Sequence, residues 1–280
     1  MCSKITAKSR SKSIILEKID SIILFLITLL LLSLTFASTK VIGILAGLCF
    51  LAFIIKLCLK KDEKLCLNVL DAPIFLYILI IGLSVAFSSL FIPALKGYLK
   101  VIIYFCSYLT FFNVLKNNPK KSYYILGVIA FSACAESLTA VYQNFTGVEA
   151  LATWQDKSCL NPEQIMTRVY GTLQPLNPNL LAGYLIASIS STAALFFVFA
   201  LKRKFKLSVL FLFMFFSILA AIVFTGSRGA YLALCAVLTG IVLSSGHIIW
   251  NDFKEKIWLK KLWLFIILAG IIAVLVLILS

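Results

Sequence analysis

Nine apolar runs of roughly twenty residues follow one another along the chain, separated by short polar connections and one long one. They cover about Ile19–Ala37, Val41–Leu59, Ala72–Ile92, Leu95–Leu115, Ser122–Tyr142, Asn179–Leu201, Leu207–Phe224, Gly229–Trp250 and Leu262–Leu279. A bilayer's hydrocarbon core needs about 20 residues of helix to cross it. Lipid offers no partner to a backbone N–H or C=O, so such runs must close their own hydrogen bonds as helices. The prolines, at 73, 93, 119, 162, 175 and 178, all fall at run ends or in connections, where a helix tolerates them. The fold class implied is all-α: a polytopic membrane bundle of about nine transmembrane helices. At 62% hydrophobic, with a mean hydropathy of +1.05, the composition lies beyond that of soluble domains.

The charge of +15 does not point to nucleic acid, because the basic residues sit in clusters between apolar runs. Lys and Arg accumulate in cytoplasmic loops, so the clusters report orientation. With the N-terminus cytoplasmic, 20 of the 26 Lys and Arg fall on the inner side. The domain reading is a basic tail over residues 1–18 and one transmembrane domain over 19–280. An extracytoplasmic loop lies at about 143–178. Most of the eight cysteines lie in apolar runs and none forms a C-x-x-C pair, so neither a disulfide framework nor a metal site is indicated.

Six cations remain on the outer side: Lys40, Lys96, Lys100, Lys157, Arg168 and Arg228. Orientation alone would have excluded them. Arg228 lies in Thr225-Gly226-Ser227-Arg228-Gly229-Ala230, a tight turn opening the eighth span. Arg168 precedes the sixth, where Asn177 suits an N-cap and Pro178 the first helical position. Two helix N-termini therefore point outward, each with unsatisfied N–H groups and an arginine nearby. Such an arrangement suits phosphate. Lys96 and Lys100 are one turn apart and share a face near the same surface. The expected feature is an outward cationic pocket for a phosphate or diphosphate on a lipid. Asn177, Asn179, Ser227, Lys96, Lys100 and Glu136 are its candidate binding residues. The plain alternative is that these cations reach for lipid headgroups and do nothing more.

Glu136 is the one carboxylate well inside a span. It reads either as an acceptor-orienting group or proton carrier, or as an ion-pair partner for Arg168 or Arg228. His247, the single histidine, falls at the inner end of the eighth span, so the outer face has no histidine general base. The outer loop is long for a connection without structure of its own and carries Glu149, Trp154, Asp156, Glu163 and Tyr170. Its aromatic residues suit either membrane anchoring or stacking on a sugar ring.

Arg168 with Gly171-Thr172, followed by Asn177-Pro178-Asn179-Leu180-Leu181-Ala182-Gly183, resembles a signature of the O-antigen ligase and polymerase family. The turn from Thr225 to Ala230 resembles that family's second signature. The likeness covers spans five to eight well and the earlier spans by hydropathy alone. It implies a glycosyltransferase of the bacterial plasma (inner) membrane. Such an enzyme moves a glycan from a polyprenyl-diphosphate lipid to a glycan or lipid acceptor on the outer face. Arg168 and Arg228 are then the catalytic pair that holds the diphosphate, with no metal or nucleotide cofactor. Family members continue into a large outer loop with a further functional histidine, so the resemblance also implies a truncated or partial form. Two other readings stand beside it: an anion transporter of the bicarbonate type, and a non-catalytic membrane protein.

Overall fold

In the computed structural model the described residues are 2–59, 65–116, 118–148 and 168–252. They form eight α-helices: α1 Cys2–Phe36, α2 Thr39–Leu59, α3 Asp71–Ala86, α4 Phe91–Leu115, α5 Pro119–Thr146, α6 Pro178–Leu201, α7 Phe205–Phe224 and α8 Arg228–Asp252. Six helical stretches among these residues are long and apolar enough to cross a membrane. Large apolar side chains such as Phe36, Leu83 and Phe213 lie on outer faces. Both features fit a multi-pass membrane protein in a bilayer. The ninth run, Leu262–Leu279, lies outside the described residues.

The third and fourth spans differ from their expected bounds. The apolar run over Ala72–Ile92 is not one helix, because α3 ends at Ala86. Phe87–Leu90 breaks the run, with the Ser88 hydroxyl accepting the Leu90 N–H at 3.2 Å. A serine that binds backbone two residues on competes with helix continuation. α4 then starts at Phe91 rather than Leu95 and carries Pro93 in its first turn. At 16 residues α3 rises only about 24 Å, less than the hydrocarbon core.

The chain divides into two compact units, Met1–Ile125 and Leu126–Ser280. In the first, α1 packs on α2, and α4 packs on both α2 and α3. Asp20 joins the helices at one end, pairing with Lys56 at 2.9 Å and Lys121 at 3.3 Å. Asn113 of α4 secures the segment before α3 through both backbone groups of Cys66, accepting its N–H at 2.8 Å and donating to its carbonyl at 3.1 Å.

In the second unit α6 and α7 form an antiparallel hairpin. α6 ends in a turn in which Lys204 N–H reaches the Phe199 carbonyl and Arg203 N–H reaches that of Ala200. Arg203 takes the left-handed backbone usual at that position, φ 54°. The core is built at four-residue spacing, which puts Leu181, Leu185 and Ile189 of α6 on one face, Ile218 and Ile222 of α7 on another, and Ala230 and Leu234 of α8 on a third. Val169 and Leu173, from the segment before α6, enter the same core. Residues 169, 171 and 173 are buried while 168, 170 and 172 are only partly so. That alternation seats the irregular segment on the bundle and leaves Arg168 at its edge.

Candidate anion site at the start of α8

The segment from Arg168 to Asn177 has no helix of its own, so its backbone groups need partners from elsewhere. α5 supplies them. Gln143 accepts the N–H of Tyr170 at 3.2 Å and of Gly171 at 2.9 Å, and donates to the Gly171 carbonyl at 3.1 Å. Glu136, 1% exposed, accepts the Thr172 N–H at 3.0 Å and the Thr172 hydroxyl in a second, shorter bond. Gly171 has φ +65°, and a Cβ there would lie 2.5 Å from the Glu136 Oε2. Only glycine allows both the backbone conformation and the approach of the carboxylate.

This corrects the expected pairing of Glu136. Neither arginine lies within ion-pair distance of it, since the salt bridges among the described residues are those of Asp20. The backbone N–H and side-chain hydroxyl of Thr172 take the place of a cation. Glu136 is therefore an internal strut.

Arg168 leaves the anchored segment and crosses to the α7–α8 turn. Its Nε donates to the Thr225 carbonyl at 2.7 Å and its Nη2 donates to the Asn179 Oδ1 at 3.0 Å. Thr225 is fully buried at the C-terminal end of α7, where carbonyls carry partial negative charge that favours a cation. Gly226, φ +59°, makes room: a Cβ there would meet Arg168 Nε at 3.4 Å and Cγ at 3.6 Å. Arg168 thus ties the start of α6 to the end of α7, and Arg228 follows three residues later. The two arginines lie at one end of the second unit.

The two helix starts at this end differ. At α6, Asn177 is extended and its side chain accepts the Asn179 N–H at 2.8 Å. Pro178 has no N–H to offer, and the Asn179 side chain is taken by Arg168. Of the first three helical positions only Leu180 keeps a donor without a partner among the described residues. The expected cap at Asn177 is formed, and it leaves fewer open N–H groups at α6 than at α8. At α8 the N–H groups of Arg228, Gly229 and Ala230 have no acceptor among the described residues. Arg228 is exposed with no hydrogen-bond or ion-pair partner among them, and Gly229 is exposed with open space at its Cβ. Ser227, 7% exposed, precedes these donors. The Tyr231 hydroxyl donates to the Val223 carbonyl at 2.8 Å and closes the turn from behind. Among the described residues the unpartnered donors of this end are therefore concentrated at α8.

Lys96 and Lys100 belong to the first unit, on α4, where both are exposed one turn apart. They fall outside the set that the second unit gathers. Glu149, Trp154, Asp156 and Glu163 lie outside the described residues, as does the side chain of His247. Among the described residues no group of three His, Cys, Asp or Glu could hold a metal ion. Thr172 stands in the first signature, but the contacts that Glu136 and Gln143 make with residues 170–172 are not foreseen by motif reading. The available signal was spacing: Gln143 lies seven residues from Glu136 and so on the same face of α5. No family model, curated protein or solved structure matches this chain.

Proposed function

We propose that the chain is a membrane glycosyltransferase of the O-antigen ligase and polymerase type. It transfers a glycan from a polyprenyl-diphosphate lipid to an acceptor hydroxyl at the outer face of a bacterial plasma membrane. The observation that carries this reading is the α8 start: three N–H groups and a guanidinium without a partner among the described residues, beside a second arginine already fixed in place. Arg228 and the α8 amides hold the diphosphate, with Ser227 beside them. Arg168 keeps its remaining N–H groups for the same charge while its Nε and Nη2 fasten the turn. Asn177 and Asn179 shape the rim.

In the reaction the acceptor oxygen bonds to the anomeric carbon and its proton passes to water or to the departing diphosphate. The bond from that carbon to the diphosphate oxygen breaks, and the lipid diphosphate leaves with the electron pair. Negative charge grows on the leaving group as the bond breaks. Donors already aimed at that charge lower the barrier without having to reorganise. The test is transfer of a labelled glycan from a polyprenyl-diphosphate carrier in membranes containing the protein. Wild type releases the lipid diphosphate and Arg228→Ala does not. Anion flux without any transfer would contradict the reading.

A further inference from the structure

Glu136 and Gln143 stand two turns apart on one face of α5, about 10 Å along the axis. Between them they satisfy four backbone groups of three consecutive residues: the N–H of Tyr170, Gly171 and Thr172 and the carbonyl of Gly171. All four belong to the segment that begins at Arg168. Only Val169 separates Arg168 from the first held group, the Tyr170 N–H. The apolar side chains Val169 and Leu173 are sunk in the core on either side of the held groups. The backbone at Arg168 is thereby left little freedom, and its guanidinium arrives at Thr225 and Asn179 in one geometry.

We propose that Glu136 and Gln143 are positioning residues for the anion grip. They lock Tyr170–Thr172 onto α5 and so fix the Arg168 guanidinium beside the start of α8. This rests on the diphosphate-binding reading of the site. Glu136 acts here through hydrogen bonding and not through charge. A glutamine at 136 can reproduce both contacts, its oxygen accepting the Thr172 N–H and its amide donating to the Thr172 hydroxyl. An alanine can reproduce neither. A proton-carrying carboxylate would behave differently, since glutamine and alanine would then fail alike.

The experiment compares wild type, Glu136→Gln, Glu136→Ala and Gln143→Ala in lipid nanodiscs. Two readouts are taken on each: amide hydrogen exchange at residues 170–172, and affinity for a polyprenyl diphosphate without glycan. The expected result is that Glu136→Ala speeds exchange at Thr172 by about 10- to 100-fold, and Gln143→Ala speeds it at Gly171 by about tenfold. Both variants also lose affinity for the lipid, by about tenfold. Glu136→Gln keeps protection and affinity within a few-fold of wild type. Equal failure of Glu136→Gln and Glu136→Ala in binding overturns the positioning role, as does faster exchange with unchanged affinity. If Glu136→Ala fails to fold, Gln143→Ala and Glu136→Gln decide by the same criteria. A wild type that binds no diphosphate lipid removes the functional reading and the positioning proposal with it. The exchange data then report whether the strut itself exists.

Discussion

The starts of α6 and α8 lie at the same end of the second unit, and each is preceded by a chemically generous sequence. α6 has Asn177-Pro178-Asn179 and α8 has Gly226-Ser227-Arg228-Gly229. The first is largely closed by its own residues, and the second is open among the described residues. Asn177 and Asn179 serve the fold, the first as a cap and the second as a rest for Arg168. The α8 start spends nothing on itself. A helix N-terminus is thus an anion site only after its donors have been counted, since the same dipole is present in both. The arginines divide in the same way. Arg168 is a fastener with two of its donor nitrogens engaged, whereas Arg228 is free to take a ligand among the described residues.

The sharpest way to break this contrast is Arg228→Ala. It should lower glycan transfer by about 10²–10³-fold, the effect of removing one preorganised donor from a developing charge. Thermal stability should hold, because Arg228 is exposed and touches no partner among the described residues. A melting curve beside the rate assay checks both halves. Arg168→Lys should do the reverse in kind. A lysine cannot meet Thr225 and Asn179 with two fixed donors, so stability should fall by roughly 1.5–3 kcal/mol along with activity. Arg228→Lys, in contrast, should keep part of its lipid affinity and all of its stability.

Gly171→Ala tests the support beneath Arg168. The new Cβ would collide with the Glu136 carboxylate at a backbone angle alanine resists. A loss of about 1–3 kcal/mol in thermal unfolding is expected, with exchange at residues 170–172 rising in parallel. The smallest effect should come from Asn177→Ala. It removes a cap and costs about 1 kcal/mol. It also frees the Asn179 N–H, yet lipid affinity should not rise. A gain in affinity would show that the α6 start is a second grip after all.

Much of the membrane architecture is legible in the apolar runs, because lipid forces each into a helix whatever its neighbours do. The cap of α6 is legible too, since Asn before Pro fixes a helix start by local chemistry alone. The break at Phe87–Leu90 is not. Its residues are two serines between apolar neighbours, and nothing in hydropathy separates them from a continuing span. The partner of Glu136 is likewise hidden. A lone acid among few cations suggests an ion pair, but tertiary packing offered it the backbone of Thr172 at close range. Gln143 carries no motif, and its role depends on where an irregular segment 27 residues away happens to lie. How many donors each helix start leaves open is hidden as well, because the Arg168–Asn179 contact and a Ser227 hydroxyl unused among the described residues depend on tertiary packing. Hydrogen-bond accounting distinguishes them, and that needs coordinates.

One measurement bears most directly on the α8 start: equilibrium binding of a polyprenyl diphosphate to the protein in nanodiscs, wild type against Arg228→Ala, with Asn177→Ala as the matched change at α6. The expected outcome is a loss of about 10- to 100-fold for Arg228→Ala and no change for Asn177→Ala. Equal affinity for wild type and Arg228→Ala would contradict the assignment of the diphosphate to the start of α8.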